Sequence, residues 1–145
     1  MSRVEERIDV LAPPAAVWEV MHDVLQWPAW TPTVSAVKAL GGSRLTVGAK
    51  YRLKQPKLPP VEWTVTELVP GRSFAWTSKS PGVRSFADHR IEPAGEGSTV
   101  VLVFEQSGPL AGLSALFYSG LIRRYVRTEA EHLKRTTERR TTADA

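Results

Sequence analysis

His89 lies in the run VRSFADHRIEP, where Asp88, Arg90 and Glu92 alternate with Ala87, His89 and Ile91. Alternation of this kind marks a strand with one wet and one buried face, so His89 turns inward as an ionisable group among apolar neighbours. An imidazole so placed can hold a ligand by a hydrogen bond or move a proton near neutral pH. A hydrogen-bonded core histidine is the plainer use of the same residue. Asp88 cannot complete a dyad with it, because neighbours on a strand point to opposite sides. Glu67 falls on the inward register near another strand end, where it can act as a base at a pocket mouth or pair with Arg72 across the Pro70-Gly71 turn.

Other chemistries lack their residues. Cysteine is absent, which excludes disulfides, thiolate metal sites and thiol nucleophiles. His22, His89 and His132 fall on a helix, a strand and another helix, without HExxH spacing, so no metal site is expected. Nor is there a GxSxG, Walker A or GxGxxG pattern, and no cofactor is expected. A length of 145 residues, 42% hydrophobic and 23% charged, suits one globular domain with one core. The opening residues lack the apolar stretch of a signal peptide, and no window approaches 18 uninterrupted apolar residues, so the expectation is a cytoplasmic chain without a membrane span.

The net charge is +4, and the segment from Arg123 onward holds seven Lys or Arg against four Asp or Glu. Nucleic-acid sites interleave such charges with stacking aromatics, and only Tyr125 stands in this segment. A solvated helix face is the simpler reading, and no nucleic-acid partner is expected.

The elements that must position these groups follow from periodicity. RVEERIDVLA alternates as a first strand. Pro13-Pro14 ends it and opens a helix with Val17, Val20, Met21, Val24 and Leu25 at helical spacing. A break near His22 is the alternative to one continuous helix. Asp23, with Gln26 three residues on, has the spacing of a capping box for a second short helix carrying Trp27 and Trp30. Six strand-like stretches follow, around 33–40, 48–55, 60–68, 72–79, 83–92 and 98–106, separated by Gly- and Pro-rich turns. Short connections make them an antiparallel meander. After Gly108-Pro109 one long helix is expected from Leu110 to about Thr136, with a polar tail over 138–145 and a single domain over 1–137.

In this order, IDVLAPPAAVWEVMHD, WPAW, WTVTELVPGRSFAW, HRIEP, GSTVVLVFEQSG and the closing helix resemble the START-related, birch-pollen-allergen-like superfamily called SRPBCC, and especially its bacterial polyketide cyclase/dehydrase-like members. The resemblance covers nearly the whole chain. It implies an α+β helix-grip fold: a seven-stranded curved antiparallel sheet wrapped around the C-terminal helix, with two short helices between strands 1 and 2. It also implies an open apolar cavity between sheet and helix, where residue identity alone favours a filled core.

Strand parity then selects the cavity lining: Tyr51, Leu53, Trp63, Val65, Phe74, Trp76, Ser85, Ala87 and His89, with Leu113, Phe117 and Leu121 from the helix and Trp30 at the rim. Trp27 and Trp30 would clamp the corner of the two short helices, and truncating a buried tryptophan there costs about 3–5 kcal/mol. The expected function is binding of a small hydrophobic, ring-containing molecule, with His89, Tyr51 and Ser85 setting its orientation. A polyketide cyclase or dehydratase using His89 as acid or base is the enzymatic alternative. A protein-interaction module on the basic face of the last helix is the third.

Overall fold

The computed structural model describes residues 2–42 and 44–144. Strand β1 (Ser2–Val10) leads into helix α1 (Pro14–Met21), a single 3₁₀ turn at Val24–Gln26 and helix α2 (Trp27–Trp30). Strands β2 (Ala36–Ala39), β3 (Lys50–Lys54), β4 (Val61–Val69), β5 (Ser73–Ser80), β6 (Val83–Ala94) and β7 (Gly97–Ser107) follow, and helix α3 (Ala111–Asp144) closes the chain. The sheet order is β1-β7-β6-β5-β4-β3-β2, with every neighbour antiparallel. This is the expected α+β helix-grip architecture: a meander from β2 to β7, with β1 closing onto its far side.

The corner before β2 differs from a capping box. The Gln26 N–H that the Asp23 side chain would need is taken by the Asp23 backbone carbonyl, at 3.0 Å. That bond makes one 3₁₀ turn, and no side-chain cap forms. Pro14 stands in the first turn of α1, where a missing N–H costs nothing, and Val17, Val20 and Met21 point into the core.

Glu67 does not hold the inward position expected for it. Val65 pairs with Trp76 but Glu67 pairs with Ala75, so Thr66 is the extra residue of a β-bulge. One extra residue reverses the facing of everything after it. Glu67 is exposed, Leu68 packs on the core, and among the described residues Glu67 makes no ion pair with Arg72.

Helix α3 runs to Asp144, past the end expected near Thr136, so the stretch read as a polar tail is helical through residue 144. The physical reason is anchorage. Glu138 accepts the Leu11 N–H at 2.7 Å and the Lys134 ammonium at 2.6 Å, while Lys134 also donates to the Asp9 carbonyl at 2.8 Å. Thr136 and Thr137 are buried beside this tie between α3 and the end of β1.

Hydrogen bonds to a charged group each contribute about 1.5–3 kcal/mol. Glu138→Ala is expected to lower unfolding free energy by about 1–3 kcal/mol, read as an earlier urea midpoint at neutral pH.

Candidate functional site

Between the concave face of the sheet and α3 lies a cavity of about 350 Å³. Six of the residues expected to line it do so: Leu53, Trp63, Trp76, Ser85, Ala87 and His89. Tyr51, Val65 and Phe74 point inward as parity requires but are buried in the core without reaching the cavity. The two tryptophans of the corner exchange roles. Trp27 reaches the cavity, and Trp30 packs behind it with ring centroids 5.9 Å apart.

The helix presents a different stripe from the one that apolarity selects. Leu113 and Phe117 are exposed, Leu121 is half-buried, and none of the three lines the cavity. Ser114, Tyr118, Ile122, Tyr125, Val126 and Glu129 line it instead. Each step of one residue turns a helix by about 100°, so Ser114, Tyr118 and Ile122 stand one step round from Leu113, Phe117 and Leu121. Large apolar side chains ordinarily mark the inward side, but here the largest at the start of α3 face water.

His89 is only 5% exposed and lies flat on Phe74, its cross-strand partner, with centroids 4.2 Å apart and planes 8° from parallel. Trp27 and Trp76 complete the enclosure at 5.5 and 5.6 Å. Nδ1 lies 3.2 Å from the Phe74 carbonyl oxygen, so Nδ1–H donates there and Nε2 is left as the acceptor. Burial pushes the imidazole pKa down to about 4, although the Phe74 carbonyl and Asp88 pull the other way. The ring is therefore neutral at neutral pH. Asp88, on the opposite side of the strand, pairs with Arg90 at 2.6 Å.

Glu129 is the inward acid that strand parity could not reveal, because it comes from the helix. It lines the cavity, and among the described residues no cation pairs with it. Burial pushes its carboxyl up to about 8, so it holds its proton at neutral pH. The signal was present in the spacing: Tyr118, Ile122, Val126, Glu129 and Leu133 form one i, i+4, i+8, i+11, i+15 stripe in which a carboxylate interrupts apolar and aromatic residues.

A polar chain crosses the cavity wall. Ser114 donates to Gln106 Oε1 at 3.1 Å, and Gln106 Nε2 donates to Ser85 Oγ at 3.3 Å, linking α3 through β7 to β6. At the mouth, the Lys54 ammonium gathers the carbonyls of Gln55 and Leu58, and the Tyr125 hydroxyl donates to the Pro56 carbonyl. The β3–β4 loop is thus latched to α3. Buried Tyr51 lies against Trp76 with ring centroids 6.1 Å apart, and burial, then Asp23, raises its phenol pKa. Among the described residues no three histidine or carboxylate side chains gather as metal ligands do.

With this geometry in place, comparison places the chain. Residues 1–138 match the family described as polyketide cyclase / dehydrase and lipid transport. The chain belongs to that family. No curated protein sequence matches it. Among solved structures, an aromatase/cyclase (Zhui) from Streptomyces sp. R1128 superposes with TM-score 0.80 at 22% identity, covering 99% of this chain and 98% of that one. A hypothetical protein from Helicobacter pylori gives TM-score 0.81 at 14% identity over 94% of this chain and 88% of its own. A protein from Thermus thermophilus gives 0.76 at 18% identity over 99% and 100%. At such identities the likeness is one of fold, and the family supports a ligand-binding or cyclase role. Among the described residues no helix is long and apolar enough to cross a membrane.

The cavity-facing acid has a thermodynamic signature. An unfolded chain releases the Glu129 proton near 4.5, whereas the folded chain keeps it to about 8. Folding then takes up a proton in that window, and stability falls as pH rises through it. Glu129→Gln is expected to be more stable than the parent at pH 8, with the gain shrinking toward pH 4.5 at up to about 1.4 kcal/mol per pH unit, measured by urea unfolding across pH.

Proposed function

We propose that the chain binds an uncharged, ring-containing small molecule in the cavity between sheet and helix. The observation that carries this reading is the joining of an aromatic wall, Trp27, Trp63 and Trp76, to a neutral imidazole and a protonated carboxyl within one space of about 350 Å³. That volume is at the lower end of small-molecule sites, and their usual make-up is likewise apolar with a few convergent polar groups. Burial against the indoles supplies affinity at about 25 cal/mol per Å² of apolar surface. Orientation comes from His89 Nε2 as acceptor, the Glu129 carboxyl as donor and Ser85 at the end of the polar chain. Among the described lining residues the cation is Lys79, exposed at the hairpin end, so a ligand anion buried among the indoles would lack a counter-charge.

An apolar fluorescent probe such as an anilinonaphthalene is expected to bind saturably, with one site. Ala87→Trp, which places an indole inside the cavity, should abolish that binding while leaving the melting temperature within a few degrees. Failure of the parent chain to bind any apolar probe saturably would sink the proposal.

A cyclase or dehydratase is the second reading, favoured by one specific observation: a neutral imidazole and a protonated acid line the same cavity. In such a reaction Glu129 would donate its proton to a carbonyl or departing hydroxyl oxygen, while His89 Nε2 would take one from the substrate. With a poly-β-ketone thioester mimic, His89→Gln and Glu129→Gln should each cut turnover by about 10²–10⁴ and leave probe affinity within a few-fold. Equal losses in binding and turnover would assign the two residues to ligand orientation alone.

A further inference from the structure

The outward face of α3 changes character along its length. Leu113, Leu116 and Phe117 are 53%, 76% and 72% exposed, flanked by Leu110 and Tyr118 at 46% and 42%. Soluble surfaces scatter single apolar side chains, and a cluster of this size within nine residues marks an interaction site. About two to three turns further on, the exposed side chains become Arg123, Arg124 and Arg127. Arg127 lies 3.9 Å from Glu6, whereas Arg123 and Arg124 have no acid partner among the described residues.

A second basic feature flanks the same end. Lys79 and Arg84 face each other across the β5–β6 hairpin, both exposed and, among the described residues, without an acid partner. Like charges directly opposite on a sheet are destabilising, and an external anion would relieve them. The hairpin is fixed to the start of α3. Leu110 N–H donates to the Gly82 carbonyl at 2.9 Å. Gly82, at φ +75°, lies so close to Leu110 that a Cβ there would come within 2.6 Å of its side chain. Both elements border the cavity, through Lys79 and Ser80 on one side and Ser114 and Tyr118 on the other.

We propose that this end of the molecule docks on an anionic lipid surface, with Leu113, Leu116 and Phe117 entering the headgroup layer and Lys79, Arg84, Arg123 and Arg124 resting against lipid phosphates. Phe117 and Arg124 are seven residues apart, about 10 Å along the helix axis and on the same helical face, so the apolar and basic clusters adjoin and can meet one lipid surface. An acidic protein would meet the charges without a reason for three bare apolar side chains beside them. A second copy would leave the basic side chains of both molecules without a counter-charge. The docking surface stands whatever the cavity holds. As a route by which a ligand passes from lipid into the cavity, it rests on the binding reading above.

Flotation of the full chain with vesicles tests it. Binding is expected to phosphatidylcholine vesicles containing phosphatidylglycerol, to weaken as salt rises, and to be absent with phosphatidylcholine alone. Leu116→Ser with Phe117→Ser should abolish it, and Lys79→Gln with Arg84→Gln should weaken it by roughly fivefold per charge removed. Absence of flotation with anionic vesicles at low salt overturns the proposal, as does flotation unchanged by the Leu116 and Phe117 substitutions. Self-association lost in that variant without flotation overturns it in favour of a second copy. Equal binding to polyglutamate by parent and variant overturns it in favour of an acidic protein. Saturable probe binding, measured on the same variants, reports on the cavity separately. Flotation without probe binding removes the cavity reading and leaves the docking surface.

Discussion

The arrangement depends on how one indole is held. Trp27 sits at the start of a four-residue helix, its Nε1–H donates to the Met21 carbonyl at 3.0 Å, and its ring lies 5.4–6.2 Å from Trp30, Phe74, Trp76 and His89. A curved sheet and a straight helix leave a wedge at the corner where the chain crosses from one to the other, and Trp27 fills it. Because that indole is fixed from several sides, the end of the cavity has a firm wall, and the imidazole beside it is pressed flat against Phe74. The remaining aromatic residues build outward, with Trp63 stacked on Trp76 at 5.5 Å.

Burial then decides the charge state of the interior. His89 is driven toward its neutral form and Glu129 toward its protonated form, so these two hydrogen-bonding groups carry no charge at neutral pH. Their effects on stability run in opposite directions. A histidine pKa lowered from 6.5 to about 4 removes stability as pH falls through that window. A carboxyl raised from 4.5 to about 8 removes it as pH rises. Where the windows overlap, the two slopes oppose each other, and the interior acts as a pair of counterweights.

The strands and their order were legible because alternation and Gly or Pro turns are local features, and the inward strand residues around His89 followed from parity. Parity failed at Glu67, where the bulge inserts a residue that no local pattern marks. The helix failed differently. Its largest apolar residues give the wrong phase, because at the start of α3 they face solvent, and this also hides Glu129 on the true inward stripe. The length of α3 is hidden because its last turns are polar in composition, and only the contacts of Lys134 and Glu138 with the β1 end, a long-range matter, make them part of the fold. The exchange between Trp27 and Trp30 was likewise beyond reach, since their spacing fixes a shared side but not which indole turns toward the sheet.

The pairing of β1 with β7, from Ser2 opposite Gln106 to Val10 opposite Ser98, bears on how the molecule is made. Strand β1 leaves the ribosome well before its sheet neighbour β7 is made, and α3 comes after both. Until that helix arrives, the hollow bearing Trp27, Trp63 and Trp76 has no cover. Such long-range closure is slow relative to local hairpin formation, and uncovered apolar surface is where partly made chains stick to one another. A nascent chain halted before Ala111 would hold its aromatic hollow open to water, so the stage of synthesis most open to aggregation comes just before the lid is translated.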